Sequence, residues 1–596
     1  MLKFPYGVCD FYKIITNNFF YIDRTNHIPL IENAGEQILF LRPRRFGKSL
    51  LLSTLENYYD VAKADEFDKL FGQLNIGQNP TTKHNQYFIL NWDFSAIDPS
   101  GEPDEIRQRM HNHINGSLEQ FISHYKDFLD YDIRLHPTDA LRSLQSIFAA
   151  VKGTPYKIYL LIDEYDNFAN EVMTAGQSAS RERYEALIMG EGALKAIFKA
   201  VKSGTKGLGI DRIFITGVSP VVMSDISSGF NIAENIYLQQ KFNDLCGFRE
   251  SEILAALQDI AKSCDLSESQ VEEALMMMRT FYNGYRFSSE KAELIYNSTN
   301  VLYFLKYFQE YCRYPRQLLD ENLAMDRGKI AYVSQLPHGE RVISQVLNEE
   351  EPLTVAELAS RFGIREMLSV GNKDSIFMAS LLYYFGVLTF GGEYSGRGEL
   401  ILRIPNLVVR KLYVERIQEL LLPEFGVKDE AMRVVGRFYQ SGNLQSLCEF
   451  VEGSVFGVFD NRDYRWANEL TVKSVFLSLL FSDTFYLMDS EVSLGRGYGD
   501  LVMLVRPDMR RFDLLDFLFE FKYVSLKEVG LTASEVRKMS ISELRDLDVV
   551  KDKLAESKSQ LSQYRQILLS NYGKKLRLHS YGVVAVGYER LVGCEV

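Results

Sequence analysis

The sequence predicts an α/β multidomain chain, on three observations. Short apolar runs alternate with helical segments through the first half. The pattern turns mainly helical from about residue 301 to 420. Helices then precede a β-hairpin, a long charged helix and a last strand. In order, the β-rich runs of the first half are Glu36 to Leu41, Gln86 to Phe94, Lys157 to Asp166 and Asp211 to Ser219. Continuous apolar strands such as I-Y-L-L-I fit a parallel sheet buried on both faces. In the middle, Thr354 and Glu357 form a capping-box signature that predicts a helix from Thr354. A-S-L-L-Y-Y-F-G, V-L-T-F, Gly391-Gly392 and E-L-I-L-R-I-P then predict a helix followed by a small hairpin, a winged-helix-like arrangement. P-E-F-G-V-K-D-E (Pro423 to Glu430) reads as a boundary. The expected parts are 1–300, 301–430 and 431–596.

The 596 residues suggest roughly four domains at ~150 residues each, with three to five tolerable. With 46% hydrophobic and 24% charged residues the chain can bury several cores, which excludes disordered, collagenous and disulfide-scaffold classes. The formal charge of −12 argues against coating nucleic acid by bulk charge and leaves a local basic groove open. Cys9, Cys246, Cys264, Cys312, Cys448 and Cys594 lie far apart without a C-x-x-C pair, so free thiols are the simplest expectation. No export signal is visible in M-L-K-F-P-Y-G-V-C, and the most apolar stretch, Ile376 to Phe390, is too short to span a bilayer. A cytoplasmic protein that does not enter membranes is expected.

Residues 42–49 read R-P-R-R-F-G-K-S between a strand and a helix, the context of a phosphate-binding loop. Backbone N–H groups over Arg44, Arg45, Phe46 and Gly47 would cradle phosphate, Lys48 would reach the β/γ-phosphates and Ser49 would ligate Mg²⁺. Arg42 stands where the general pattern has Gly and implies an altered start to the loop. The side chains of Arg44 and Arg45 are read either as phosphate or subunit contacts or as a basic loop flank. The strand I-Y-L-L-I-D-E ends in two carboxylates, Asp163 for the Mg²⁺ shell and Glu164 to polarise water. Thr216 or Ser219, in T-G-V-S, would sense the γ-phosphate or merely cap a strand end.

Near the C-terminus, G-Y-G-D-L-V-M-L-V and F-D-L-L-D-F-L-F-E-F-K-Y flank a turn. A turn centred near Arg510 puts Asp500 across from Glu520, with Lys522 on the same face and Phe519, Phe521 and Tyr523 on the other. Two carboxylates and a lysine on one face suit a hard cation, with Lys522 acting on the attacking water. Glu469, on a helix expected from Trp466 to Leu480, is an auxiliary carboxylate. Gln560 and Tyr564 share one face of the helix expected from Ser540 to Leu569. Arg506, Arg510 and Arg511 are read evenly as DNA-backbone contacts or solubilising charge. His111-Asn112-His113 lacks the further ligands of an HNH nuclease and is read as part of a polar helix.

These motifs carry a resemblance. Y-I-D-R-T at 21–25, R-P-R-R-F-G-K-S-L at 42–50, L-I-D-E-Y-D at 161–166, T-G-V-S-P at 216–220, N-G-Y-R-F at 283–287 and Y-N-S-T-N-V-L at 296–302 resemble the bacterial AAA-ATPase-like family. That family is commonly fused to a PD-(D/E)XK nuclease-superfamily domain, which Asn468-Glu469, Asp500, Glu520-x-Lys522 and Gln560-x-x-x-Tyr564 resemble. Arg42 belongs to the family's own pattern, and Gly499 precedes Asp500 where the superfamily motif has Pro. The resemblance implies an ATP-binding P-loop NTPase module, with its parallel sheet, joined to a C-terminal PD-(D/E)XK restriction-endonuclease-like fold; the helical winged-helix-like middle is expected from the segment pattern. It implies nucleotide binding and metal-dependent nuclease chemistry but no known substrate; ATP and Mg²⁺ are the cofactors expected, and nucleic acid, DNA before RNA, is the expected partner. The function expected is an ATP-regulated, Mg²⁺-dependent nuclease. A nucleotide-dependent switch, in anti-phage defence for example, whose nuclease fold binds without cleaving is the alternative. A homo-oligomer is left open.

Overall fold

The computed structural model describes residues 1–98, 100–129, 133–167, 192–225, 232–290, 292–318, 330, 339–347, 352–359, 375–422, 424–459, 469–489, 492–494 and 497–596; at a few of these, Glu469 among them, only the backbone is described. The chain packs as two compact units, one of residues 1–312, 321–342 and 353–405, the other of 313–320, 343–352 and 406–596.

Four long apolar runs of the first unit form strands β1 (Gln37–Leu41), β2 (Tyr87–Asp93), β3 (Lys157–Asp163) and β4 (Ile210–Gly217), joined by the short β5 (Glu234–Asn235). All pairings are parallel, in the order β2-β3-β4-β1-β5. Residues 158–163 are buried without alternation, as a sheet covered on both sides demands. Because β4 lies between β1 and β3, the loop after β1 and the acidic end of β3 flank the C-terminal end of β4. Ligand sites of open α/β sheets form at such strand ends. Helix Lys48–Tyr59 follows β1, and helices Pro103–His124, Ala140–Lys152 and Ala193–Gly204 occupy the later crossovers. His111 and His113 lie on the second of these helices, as expected for a polar helix.

The rest of this unit is mainly helical. Helix Glu250–Cys264 ends beside helix Ser298–Tyr311, and Cys264 forms a disulfide with Cys312. The expectation of free thiols fails here. The two cysteines lie 48 residues apart, yet each ends a helix whose C-terminus arrives at the same place, with Cα atoms 5.5 Å apart. Cys9, Cys246, Cys448 and Cys594 are free. Helix Ser375–Tyr384 precedes strands β7 (Thr389–Tyr394) and β8 (Leu400–Arg403), so the helix-then-hairpin pattern is present. The helix expected from Thr354 is not. Thr354 lies in β6 (Leu353–Val355), which pairs antiparallel with β8, and its hydroxyl donates to Glu399 rather than capping a turn.

The second unit holds a five-stranded mixed sheet, β15-β14-β13-β12-β9. It comprises β9 (Tyr486–Asp489), β12 (Leu501–Val505), β13 (Asp516–Val524), β14 (Leu578–Val586) and β15 (Arg590–Glu595); a separate two-stranded ladder joins β10 (Val492–Leu494) and β11 (Gly497–Gly499). Only β13 and β14 pair parallel. Helix Asp548–Tyr572 supplies the crossover between them. It packs Leu554, Leu561, Tyr564 and Leu568 onto Val502, Leu518 and Val584. The aromatic face of β13, Phe517, Phe519 and Phe521, packs instead on Phe438 and Phe476. Among the described residues no helix is long and apolar enough to cross a membrane.

Candidate functional sites

The loop after β1 turns sharply. Arg45 (φ 70°) and Gly47 (φ 97°) are both left-handed, and helix Lys48–Tyr59 starts at once, a backbone pattern of the kind that forms anion-binding nests. Arg42 does not face it. Its guanidinium is 1% exposed, donates to the carbonyls of Leu41, Tyr237 and Phe242 at 2.6–2.8 Å, and lies over the rings of Phe40 and Phe287. Where the general loop has Gly, this chain therefore anchors the loop by a buried cation, whose pKa burial pulls down to about 10. Phe46 is buried against Tyr285 and Phe287, while Arg44 and Arg45 are half-buried. The Phe46 and Arg45 carbonyls accept from the hydroxyls of Ser298 and Thr299, which tie the loop to helix Ser298–Tyr311.

Lys48 Nζ donates to the Arg42 carbonyl at 3.2 Å and lies 3.5 Å from Glu164. Ser49 Oγ donates to Asp163 Oδ2 at 2.6 Å, and Thr216 Oγ1 donates to Asp163 Oδ1 at 2.5 Å. Burial raises Asp163 above the ordinary carboxylate range against the pull of these two hydroxyls. Glu164 is held in the left-handed region (φ 47°), a costly conformation for a side chain of this size. Ser219 is fully buried and, with the N–H of Val218, donates to Asp166. Lys48 and Glu164, and Ser49, Asp163 and Thr216, thus meet at the strand ends, and Arg45 lines the cavity beside them, while Ser219 instead binds Asp166 and Phe46 packs on Tyr285 and Phe287. A cavity of about 350 Å³ opens beside Gly47, Lys48 and Glu164, walled by Tyr21, Phe248 and Ser298. Ser49 also lines this cavity, and with Asp163 it lines a second one of about 510 Å³; a loop at a helix N-terminus beside a paired hydroxyl and carboxylate suits a nucleotide with a divalent ion.

In the second unit, Leu501 pairs with Phe519 and Val502 with Leu518, so one step further Asp500 stands opposite Glu520. Asp500 Oδ2 accepts from the N–H of Phe521 at 2.7 Å, and Lys522 Nζ donates to Glu520 Oε1 at 3.0 Å. Asp500, Glu520 and Lys522 are 4%, 2% and 7% exposed. Sequence reasoning passed over a fourth member. Lys473, on helix Glu469–Leu480 and equally buried, brings its Nζ to 3.6 Å from Asp500 Oδ1. Glu469 opens that helix, and its side chain lies outside the described residues. Tyr564 is a core residue. Gln560 Oε1, on the helix that packs on the Glu520 face, is buried with no hydrogen-bond partner among the described residues. Among the described residues no group of three or more His, Cys, Asp or Glu is placed to hold a metal ion. Two carboxylates with a spare amide oxygen fit Mg²⁺, which usually keeps several waters and takes phosphate oxygens as further ligands. Of the hairpin arginines, Arg506 is fully buried against Asp508 and three backbone carbonyls and Arg510 forks onto Asp516, whereas Arg511 is exposed over the ring of Phe512.

A P-loop α/β domain and a nuclease-like mixed α/β domain are therefore present in one chain. Comparison with known proteins agrees. Residues 5–227 match the family described as predicted AAA-ATPase, and residues 467–593 match the PD-(D/E)XK nuclease superfamily. The chain thus carries a predicted AAA-ATPase domain followed by a PD-(D/E)XK nuclease-superfamily domain. It is 22% identical over 552 residues to the "Uncharacterized protein in vnfD 5'region" of Azotobacter chroococcum mcd 1, covering 90% of this chain and 92% of that protein. Among solved structures it is similar to the Aeropyrum pernix ORC2 protein (12% identity, TM-score 0.29), covering 66% of this chain and 92% of that one. It is likewise similar to Cdc6p from Pyrobaculum aerophilum (12% identity, TM-score 0.25), covering 66% and 93%.

Proposed function

We propose that the protein is a Mg²⁺-dependent nuclease, acting on DNA before RNA, whose P-loop domain binds ATP and regulates cleavage. The observation that carries this reading is the hairpin register that sets Asp500 opposite Glu520 with Lys522 on the same face. A divalent ion bound there would supply Lewis-acid polarisation of the scissile phosphate and a more acidic water. Asp500 and Glu520 hold that ion, with Glu469 as auxiliary carboxylate. Lys522, fixed by Glu520, orients the attacking water by donating a hydrogen bond to its oxygen. The aromatic packing beneath keeps both carboxylates rigid, which metal geometry requires.

In the P-loop domain, the loop N–H groups and Lys48 bind the phosphates. Ser49 and Asp163 hold Mg²⁺, and Glu164 polarises water. Thr216 acts through Asp163 by fixing its second oxygen. Nucleotide binding draws Lys48 from the Arg42 carbonyl and from Glu164, and this exchange of partners is the local change that signals occupancy.

The test is cleavage of plasmid, linear and single-stranded DNA and of RNA, with Mg²⁺ or Mn²⁺, with and without ATP. Wild type cuts, Asp500→Asn does not, and Lys48→Ala loses the response to ATP. ATP hydrolysis lost in Lys48→Ala, without cleavage of any substrate, replaces this reading with a nucleotide-dependent switch.

A further inference from the structure

Two helices of the first unit begin at the wall of the nucleotide cavity and end at one disulfide. Gly247 and Phe248, just before helix Glu250–Cys264, line the cavity, as do Ser298, Thr299 and Leu302 of helix Ser298–Tyr311. The helix starts are joined by backbone hydrogen bonds of 3.2 and 2.9 Å between Phe248 and Tyr296, and the helix ends by Cys264–Cys312. Cys312 caps the second helix in the left-handed region (φ 50°), a costly conformation for a side chain and one kept only where the surroundings fix it. The last turn before this cap carries Gln309. Its amide pairs with the backbone of Leu2, accepting from the N–H at 2.9 Å and donating to the carbonyl at 2.8 Å. Tyr6 packs on Tyr303 of the same helix, with ring centroids 6.3 Å apart. The strap pinned in this way, residues 2–9, supplies Pro5, Gly7, Val8 and Cys9 to the cavity wall.

Resting on the nucleotide-binding reading, we propose that the Cys264–Cys312 disulfide is a redox switch that sets nucleotide affinity through Gln309 and the strap. Cys312 is exposed and Cys264 half-buried, so the thiolate of a dithiol reductant attacks Sγ of Cys312. The S–S bond breaks, a mixed disulfide forms on Cys312, and Cys264 leaves as a thiolate that takes up a proton. The second thiolate of the reductant then displaces Cys312, which is protonated in turn. Two electrons and two protons pass to the protein, and the reductant becomes a disulfide; a disulfide of the same class reverses the sequence. Without its cross-link the left-handed cap relaxes and the helix frays from this end. Fraying of the last turn takes Gln309 off Leu2, and the strap no longer holds its wall of the cavity. By linkage the coupling is reciprocal: bound nucleotide seats the strap and makes the disulfide harder to reduce.

The experiment uses the full chain, oxidised or reduced with dithiothreitol, at a temperature where melting shows every variant folded. It reads the affinity for a fluorescent ATP analogue, and the dithiothreitol poise at which the disulfide opens, followed by thiol labelling with and without the analogue. Oxidised wild type binds about tenfold more tightly than reduced, within the usual range of coupling between sites. The analogue then lowers the midpoint potential by about 30 mV, the same factor for a two-electron couple. The double variant Cys264→Ser/Cys312→Ser binds like reduced wild type and ignores the reductant. Gln309→Ala, with the disulfide intact, binds weakly whether oxidised or reduced. A cross-link that only stabilises the fold leaves Gln309→Ala as responsive to reductant as wild type, and that result overturns the proposal. Equal affinities of oxidised and reduced wild type, a midpoint unmoved by the analogue, or a double variant that still responds to reductant also overturn it. If oxidised wild type binds the analogue better than Lys48→Ala but redox state has no effect, the switch alone fails. If it binds no better than Lys48→Ala, the nucleotide-binding reading fails and the switch with it.

Discussion

Ser49 and Asp163 are separated by 114 positions in sequence and joined by a 2.6 Å hydrogen bond. The bond is possible because β4 alone lies between the strands that deliver them, and Thr216 at the end of β4 binds the other carboxylate oxygen. Thr216→Val keeps the shape and removes that donor. A buried hydrogen bond to a charged group contributes about 1.5–3 kcal/mol, so Mg²⁺-dependent nucleotide affinity is expected to fall about tenfold or more with the fold retained. Titration with a fluorescent ATP analogue, with and without Mg²⁺, measures this. Equal affinity in both proteins refutes the positioning role.

Arg42 stabilises the loop rather than the ligand. Arg42→Gly would restore the general loop pattern, yet it strips partners from the carbonyls of Leu41, Tyr237 and Phe242 and empties a buried space over Phe287. The expected cost is roughly 3 kcal/mol or more, read as a lower urea midpoint. A variant as stable as wild type would show the guanidinium to be dispensable.

Glu56 lines an open acidic cavity of about 510 Å³ that also touches Ser49, Asp93 and Asp163. Burial raises its pKa, more than Lys63 and Asn91 lower it. Between the unfolded value, about 4.3, and its raised folded value, the folded chain holds a proton that the unfolded chain has lost. Its contribution to stability is therefore present at low pH and is lost as pH rises through that window. Glu56→Gln is expected to be more stable than wild type at neutral pH, with the gap closing toward about pH 4. Urea unfolding across that range decides it, and a gap that widens on acidification reverses the sign.

The Cys264–Cys312 disulfide closes a segment of 48 residues, for which chain entropy gives about 4 kcal/mol as an upper figure. Reduction, or Cys264→Ser, is expected to lower the stability of the first unit by about 2–4 kcal/mol. Because the same helix ties down the P-loop through Ser298 and Thr299, nucleotide affinity is expected to fall with it. Melting with and without dithiothreitol tests both, and a Cys264→Ser variant that still responds to the reductant contradicts the assignment.

What the sequence made legible follows from local rules. The Asp500–Glu520 pairing is a matter of counting, because a hairpin turning near residue 510 must set them opposite each other. The order β2-β3-β4-β1-β5 leaves no such local trace, but the alternation of apolar runs and helices does predict a parallel sheet. Thr354 was misread because its capping pattern is local, whereas the pairing of Leu353–Val355 with β8 is formed by residues 45 positions away or more. Lys473 and the disulfide were missed for one reason: each depends on where a whole helix docks, which spacing does not encode. A lysine within an apolar helix was the one available signal for Lys473. It gained meaning only when Asp500 was found beside it.

The central claim is that Asp500 and Glu520 form a hard-cation site. The direct measurement is the anomalous scattering of a crystal of the full chain soaked in Mn²⁺ with a non-cleavable duplex. The account predicts a peak about 2.1 Å from carboxylate oxygens of both residues, absent in Asp500→Asn. A structure with Mn²⁺ bound only at Ser49 and Asp163, and none between Asp500 and Glu520, would contradict it.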